Sequence, residues 1–103
     1  MKKTIFYVGL YDKDSKTQKI GTLSAVEIVS RVVMDAGYPG ATISESFGIY
    51  THEDGEIVRE PSLRIEILDS IDAKDAKISE QLKMLLNQES ILKETQVVTM
   101  DFV

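Results

Sequence analysis

"AGYPGATISESFGIY", residues 36–50, places three glycines and a proline between an apolar run of helical period and one of strand period. Gly37 stands where a left-handed helix cap is wanted, and Pro39 keeps the helix from resuming. From Ala41 the period becomes two. Ala41, Ile43, Phe47 and Ile49 share one face, and Thr42, Ser44, Ser46 and Tyr50 the other, with Glu45 a misfit on the apolar side. The Gly37–Gly40 pair follows a helix rather than opening one, so it lacks the N-terminal dipole that phosphate loops use. It reads as a structural turn, with an anion-binding nest of backbone amides as the alternative.

Upstream, "LSAVEIVSRVVMDAG" predicts a helix whose apolar face is Ala25, Ile28, Val29, Val32, Val33 and Ala36, opened by a Ser24–Glu27 capping box. Before it, "TIFYVGLY" (4–11) alternates as a strand, and the polar 12–22 connection follows. Downstream, the Asp54-Gly55 turn predicts a hairpin. The return strand starts near Ile57 and is expected to break at Pro61, which has no amide for a ladder. Leu63, Ile65 and Ile67 resume the alternation. A second helix follows, with Asp72 as N-cap, Asp75 in its first turn and a stripe of Ile78, Leu82, Leu85 and Leu86. "KETQVVTMDFV" reads as a last strand running to residue 103.

The order β-α-β-β-α-β predicts an α+β, ferredoxin-like fold: a four-stranded antiparallel sheet with two helices on one face, as a single domain over residues 1–103. One sheet face buries Phe6, Val8, Leu10, Leu63, Ile65 and Ile67. The other displays Ile5, Tyr7, Tyr11 and Tyr50, too apolar to be left bare. A homo-oligomer is the expected cover; tyrosines that keep their hydroxyls wet are the alternative.

Twelve basic against seventeen acidic residues give a net charge of −5, which argues against nonspecific nucleic-acid binding. With no cysteine, thiol chemistry, zinc knuckles and copper-chaperone function are excluded. The seven-residue apolar run near the N-terminus is too short for a signal or membrane segment, so a cytoplasmic location without membrane contact is expected. His52 is the only histidine; it reads as an exposed loop residue, since nothing nearby completes a catalytic set. Asp12, Asp14, Glu53, Asp54 and Glu56 read as solvated loop charges, lacking the spacing of a calcium loop. No catalytic residue or cofactor declares itself.

Gly37, Gly40, Thr42 and Gly48 occur in the order seen after the first helix of nitrogen-regulatory PII proteins and their small PII-like relatives, which this segment resembles. "SLRIEILDS" and "ETQVVTMDFV" resemble that family's third and fourth strands. The resemblance implies a trimer with inward-facing sheets and a small-molecule effector, often an adenine nucleotide, bound between subunits and reported to a protein target. Only Gly37, Gly40, Thr42 and Gly48 carry over from the family's motif, as backbone-shaping positions; the candidate cleft on this reading is lined by Gly40, Thr42, Ser44 and Lys93, with Arg64 beside them. Two departures stand out. The family's long loop between strands two and three is here a tight turn, and its Gly-rich basic loop reads "LNQESILKE", with Lys93 its one base. A non-enzymatic sensor or scaffold is therefore the first expectation. The alternative is a small dimeric α/β-barrel, monooxygenase-like enzyme with a pocket lined by Tyr7, Tyr11, Tyr50 and Arg64.

Overall fold

The computed structural model describes residues 1–51 and 53–103. Six elements follow in order: β1 (Lys2–Gly9), α1 (Thr22–Asp35), β2 (Thr42–Thr51), β3 (Ile57–Leu68), α2 (Asp72–Leu85) and β4 (Leu92–Val97). The strands form one antiparallel sheet in the order β2-β3-β1-β4. The β1-α1-β2 crossover leaves a gap one strand wide, and β3 fills it. This is the ferredoxin-like α+β arrangement that the periodicities predict.

Register decides the core. Phe6 pairs with Ile65 and Val8 with Leu63, so these side chains stack on the helix side of the sheet. They meet Ala25, Val29, Val32 and Val33 of α1 and Ile78 and Leu82 of α2 in one buried cluster. Each large apolar side chain fully buried there contributes about 1.5–3 kcal/mol. Leu85, expected in the stripe, is instead exposed. Leu82 and Leu86 lie four residues apart and point at the sheet together, which leaves Leu85 on the flank.

The helix starts differ from expectation, whereas a stop holds. Gly21, not a serine, is the N-cap of α1, and no capping side chain bonds the free amides of its first turn. Because α1 begins at Thr22, Ser24 is already inside the helix and the Ser24–Glu27 capping box does not form. Ile71 takes the N-cap position of α2, and Asp72 is its first residue, paired with Lys2. At the end of α1, Gly37 adopts φ +96°; its amide reaches Met34 O at 2.9 Å and the Tyr38 amide reaches Val33 O at 3.3 Å. That double bond pattern is a Schellman cap. Asn87 at φ 47° closes α2 in the same way, with Gln88 N to Lys83 O at 2.9 Å.

Three strand expectations change. β3 runs unbroken through Pro61, which pairs with Phe47. Its carbonyl accepts from the Leu10 amide, so the missing N–H faces the side where β1 has already ended at Gly9 and little pairing is lost. β4 stops at Val97 rather than continuing to residue 103. Its last rung pairs Lys2 with Val97, and among the described residues no strand pairs with those after Val98. Ile5, expected on display, is only 2% exposed, although it points away from the helices.

Candidate functional site

The open sheet face and the loops at one of its ends form a trough. Tyr7 and Gly9 of β1, Ser46, Gly48 and Tyr50 of β2 and Val58, Glu60 and Ser62 of β3 line it. Tyr11, Asp12, Lys13 and Lys16 add a wall after β1, the hairpin tip adds Glu53, Asp54 and Glu56, and Gln88, Glu89 and Ser90 close the side next to α2. Among the described lining residues, Asp12, Glu53, Asp54, Glu56, Glu60 and Glu89 are acidic, against Lys13 and Lys16. The trough is therefore a field for cations, not for phosphates.

Glu60 is the acidic residue of the sheet floor itself. On β3 it pairs with Gly48, and its carboxylate leans toward β1, where Oε2 accepts the Tyr11 amide at 3.1 Å. The Tyr11 carbonyl in turn accepts from Gln88 Nε2 at 2.8 Å, which fixes this residue from both sides. The Tyr50 phenol bonds the same carboxylate; burial, and then the Glu60 charge, push its pKa above the usual tyrosine value. None of the ion pairs among the described residues involves Glu60.

Farther along the same face lies a charged lattice. Glu66 accepts from Arg64 Nη1 at 2.8 Å and from Lys3 Nζ at 3.0 Å. These two bonds hold its carboxyl below the ordinary glutamate range. Arg64 is held protonated by a bond with Tyr7 first and Glu66 second. Ile5 sits between Glu66 and Glu94 in the register, with Lys3 and Tyr7 on either side along β1. The long stems of these charged neighbours account for its burial.

The residues expected to bind a ligand are only partly brought together. Ser44 is directly opposite Arg64, and Thr42 opposite Glu66, all on the open face. Gly40 is exposed in the turn before β2. Lys93 pairs with core residue Phe6, so it points to the helix side of the far edge strand, where its charge acts on Asp72. Within one chain two strands separate it from Ser44, and it lies on the other face. The tyrosines Tyr7, Tyr11 and Tyr50 do converge on the trough.

The loop acids are largely structural. Asp12 Oδ2 accepts the Asp14 and Ser15 amides, each at 3.0 Å, and Oδ1 accepts Asn87 Nδ2 at 2.7 Å. The Asn87 bond, followed by the Ser15 amide, lowers the Asp12 pKa to about 2. No cluster of metal-ligating residues occurs among the described residues. His52 lies outside the described residues. A second hollow of 170 Å³, lined mainly by Leu10, Ile20, Leu85 and Leu86, lies away from the tyrosines. Sequence reasoning missed Glu60 and Gly9; the one available signal was a glycine interrupting an otherwise bulky strand.

No family model and no curated protein matches the sequence. Solved structures do match. A phage SAM lyase in its apo state is 26% identical, with a TM-score of 0.71, over 92% of this chain and 78% of that one. The same kind of lyase in complex with S-methyl-5'-thioadenosine is 25% identical, with a TM-score of 0.68, over 92% and 79%. CutA of Archaeoglobus fulgidus, a periplasmic divalent cation tolerance protein, is 12% identical, with a TM-score of 0.67, over 99% and 88%. GlnK of B. subtilis in complex with ATP is 16% identical, with a TM-score of 0.56, over 93% and 84%. The chain thus has the PII-like form of the ferredoxin-like fold. No described helix is long and apolar enough to cross a membrane.

Proposed function

We propose that this protein binds a cationic adenosyl compound, S-adenosylmethionine or a close analogue, in the trough on its open sheet face, and cleaves it to S-methyl-5'-thioadenosine. The observation that carries the reading is the acidic, tyrosine-lined trough with the Glu60 carboxylate unpaired by any described cation. A sulfonium is attracted there, whereas a triphosphate is repelled. The likeness to a lyase solved with S-methyl-5'-thioadenosine supports the same ligand class, and GlnK with ATP shares its adenosyl part. Tyr7, Tyr11 and Tyr50 offer faces for an adenine ring and for the sulfonium.

The chemistry suits such a site. When the bond from sulfur to the amino-acid side chain breaks, its electron pair neutralises the sulfonium and a neutral thioether leaves. The carbon released is taken by the ligand's own carboxylate, closing a lactone. No proton is needed from the protein, so a site of tyrosines, serines and one carboxylate suffices. Thr42, Ser44 and Arg64 extend this face and would meet the amino-acid end of the ligand, with Gly40 at its rim. Lys93 joins only if a neighbouring subunit supplies it.

We place the site in a homo-oligomer, with a trimer as the favoured form, because the trough is open on one side and the exposed Phe47, Ile49, Ile57 and Leu92 lie along its margins. A second reading, a sensor that reports a bound adenosyl ligand to a protein target without turnover, is supported by the fold shared with GlnK. Incubation with S-adenosylmethionine, followed by chromatography, decides between them. S-methyl-5'-thioadenosine accumulating in proportion to protein supports the lyase; saturable binding with the ligand recovered intact supports the sensor. Absence of binding in a calorimetric titration rejects both.

A further inference from the structure

Gly9 has no backbone reason to be a glycine. It is a regular β1 residue paired with Ser62, and its φ is not among the positive ones. Its reason is steric. A Cβ built there would lie 2.6 Å from Glu60 Oε1 and 2.8 Å from both Cδ and Oε2. The carboxylate thus occupies the space that any side chain at this position would fill, and from there Oε2 reaches the Tyr11 amide. Gly48, opposite Glu60 on the other flank, also leaves that side bare. A long, flexible glutamate is in this way held flat against the sheet by a missing side chain and one amide.

We infer that Gly9 is a specificity-determining positioning residue: it seats the Glu60 carboxylate so that its free lone pairs face the positive group of the ligand. The inference rests on the adenosyl reading above and deepens it by naming what separates a charged from a neutral ligand. One carboxylate accepts up to about four hydrogen bonds. The Tyr11 amide takes one and the Tyr50 phenol interacts with the same group, so lone pairs remain for a cation. A group held in place beforehand interacts with a charge more strongly than one that must first be ordered. Gly9→Ala displaces the end of a flexible side chain rather than backbone, so the fold survives while the seat is lost.

The test uses two unreactive probes, sinefungin, whose amine replaces the sulfonium, and S-adenosylhomocysteine, its neutral thioether counterpart. Titration calorimetry on the wild-type protein should give binding about tenfold tighter for sinefungin. Gly9→Ala and Glu60→Gln should each bring that ratio to within about twofold while leaving the neutral ligand nearly unchanged. The double variant Gly9→Ala/Glu60→Asp, whose shorter acid clears the new methyl, should recover part of the preference. The Tyr11 amide resonance should move in Gly9→Ala and report the lost bond directly. An unchanged ratio in folded Gly9→Ala, or equal weakening of both probes, overturns the inference and leaves the adenosyl reading standing. A wild-type protein that binds neither probe overturns both.

Discussion

The Tyr38 hydroxyl donates to Asp75 Oδ1 at 2.6 Å, deep between the end of α1 and the start of α2. The same hydroxyl accepts the Ile71 amide at 2.7 Å, and Thr4 of β1 donates to Asp75 Oδ2 at 2.7 Å. Ser70 extends the chain of bonds to Thr4 at 2.7 Å. One fully buried carboxylate therefore ties the first strand, the first helix end and the second helix start together.

Asp75→Ala should lower stability by about 2–4 kcal/mol, because two buried hydroxyls lose their acceptor at once. Tyr38→Phe should lower it by about 1–2 kcal/mol. Urea unfolding measures both, and the double variant should lose less than the sum, since the two side chains share a bond. A loss under about 0.5 kcal/mol for Asp75→Ala would show that the network contributes nothing.

Tyr38 should also be visible by titration. Burial first, and then the bond to Asp75, push its pKa from 10.0 up to about 12. Its neutral form therefore stabilises the fold fully below pH 10, and that contribution is lost as pH rises through 12. Phenolate absorbance should show a late step near pH 12 that is absent in Tyr38→Phe. A wild-type titration complete by about pH 10.5 would contradict the buried bond.

Asn87 combines two roles that one substitution separates. Glycine there keeps the left-handed cap at φ 47° but removes the amide that donates to Asp12 at 2.7 Å. The Asp12 pKa is depressed in the folded protein, so its stabilising effect is present above its ordinary 3.8 and lost as pH falls toward 2. Asn87→Gly should thus melt below wild type at pH 7, with the gap narrowing toward pH 2. A gap independent of pH would show that the Asn87 amide does not act through the Asp12 charge.

Gly37→Ala should cost about 1 kcal/mol or more, because φ +96° at the end of α1 strains any Cβ. Thermal melting checks this, and a neutral result would mean that the helix end can shift.

Phe47, Ile49 and Ile57 stand on the helix side of the β2–β3 hairpin, exposed to 70%, 63% and 55%, beyond the reach of either helix. Under the oligomer proposal these residues pack against a second copy. Phe47→Glu with Ile49→Glu should then convert the sedimenting species to monomer without loss of secondary structure. A wild-type chain that sediments as a monomer at all concentrations would remove the proposal.

What the sequence determined by itself was local. The change of period from 3.6 to 2 within residues 36–50 located a helix end and a strand start, and Gly37 and Gly55 adopt the positive φ that their turns require. The helix starts were less legible, because Gly21 and Ile71 carry no capping side chain. Only the tertiary structure decided the site. Glu60 meets Tyr11 across 49 residues and Asp75 meets Thr4 across 71, contacts set by strand register and helix docking. A period of two says which side chains share a face, but not which of them stand opposite one another. Hence Ile5 could be assigned to the open face without its burial being foreseen, and Gly9 could be seen without the carboxylate that fills its space.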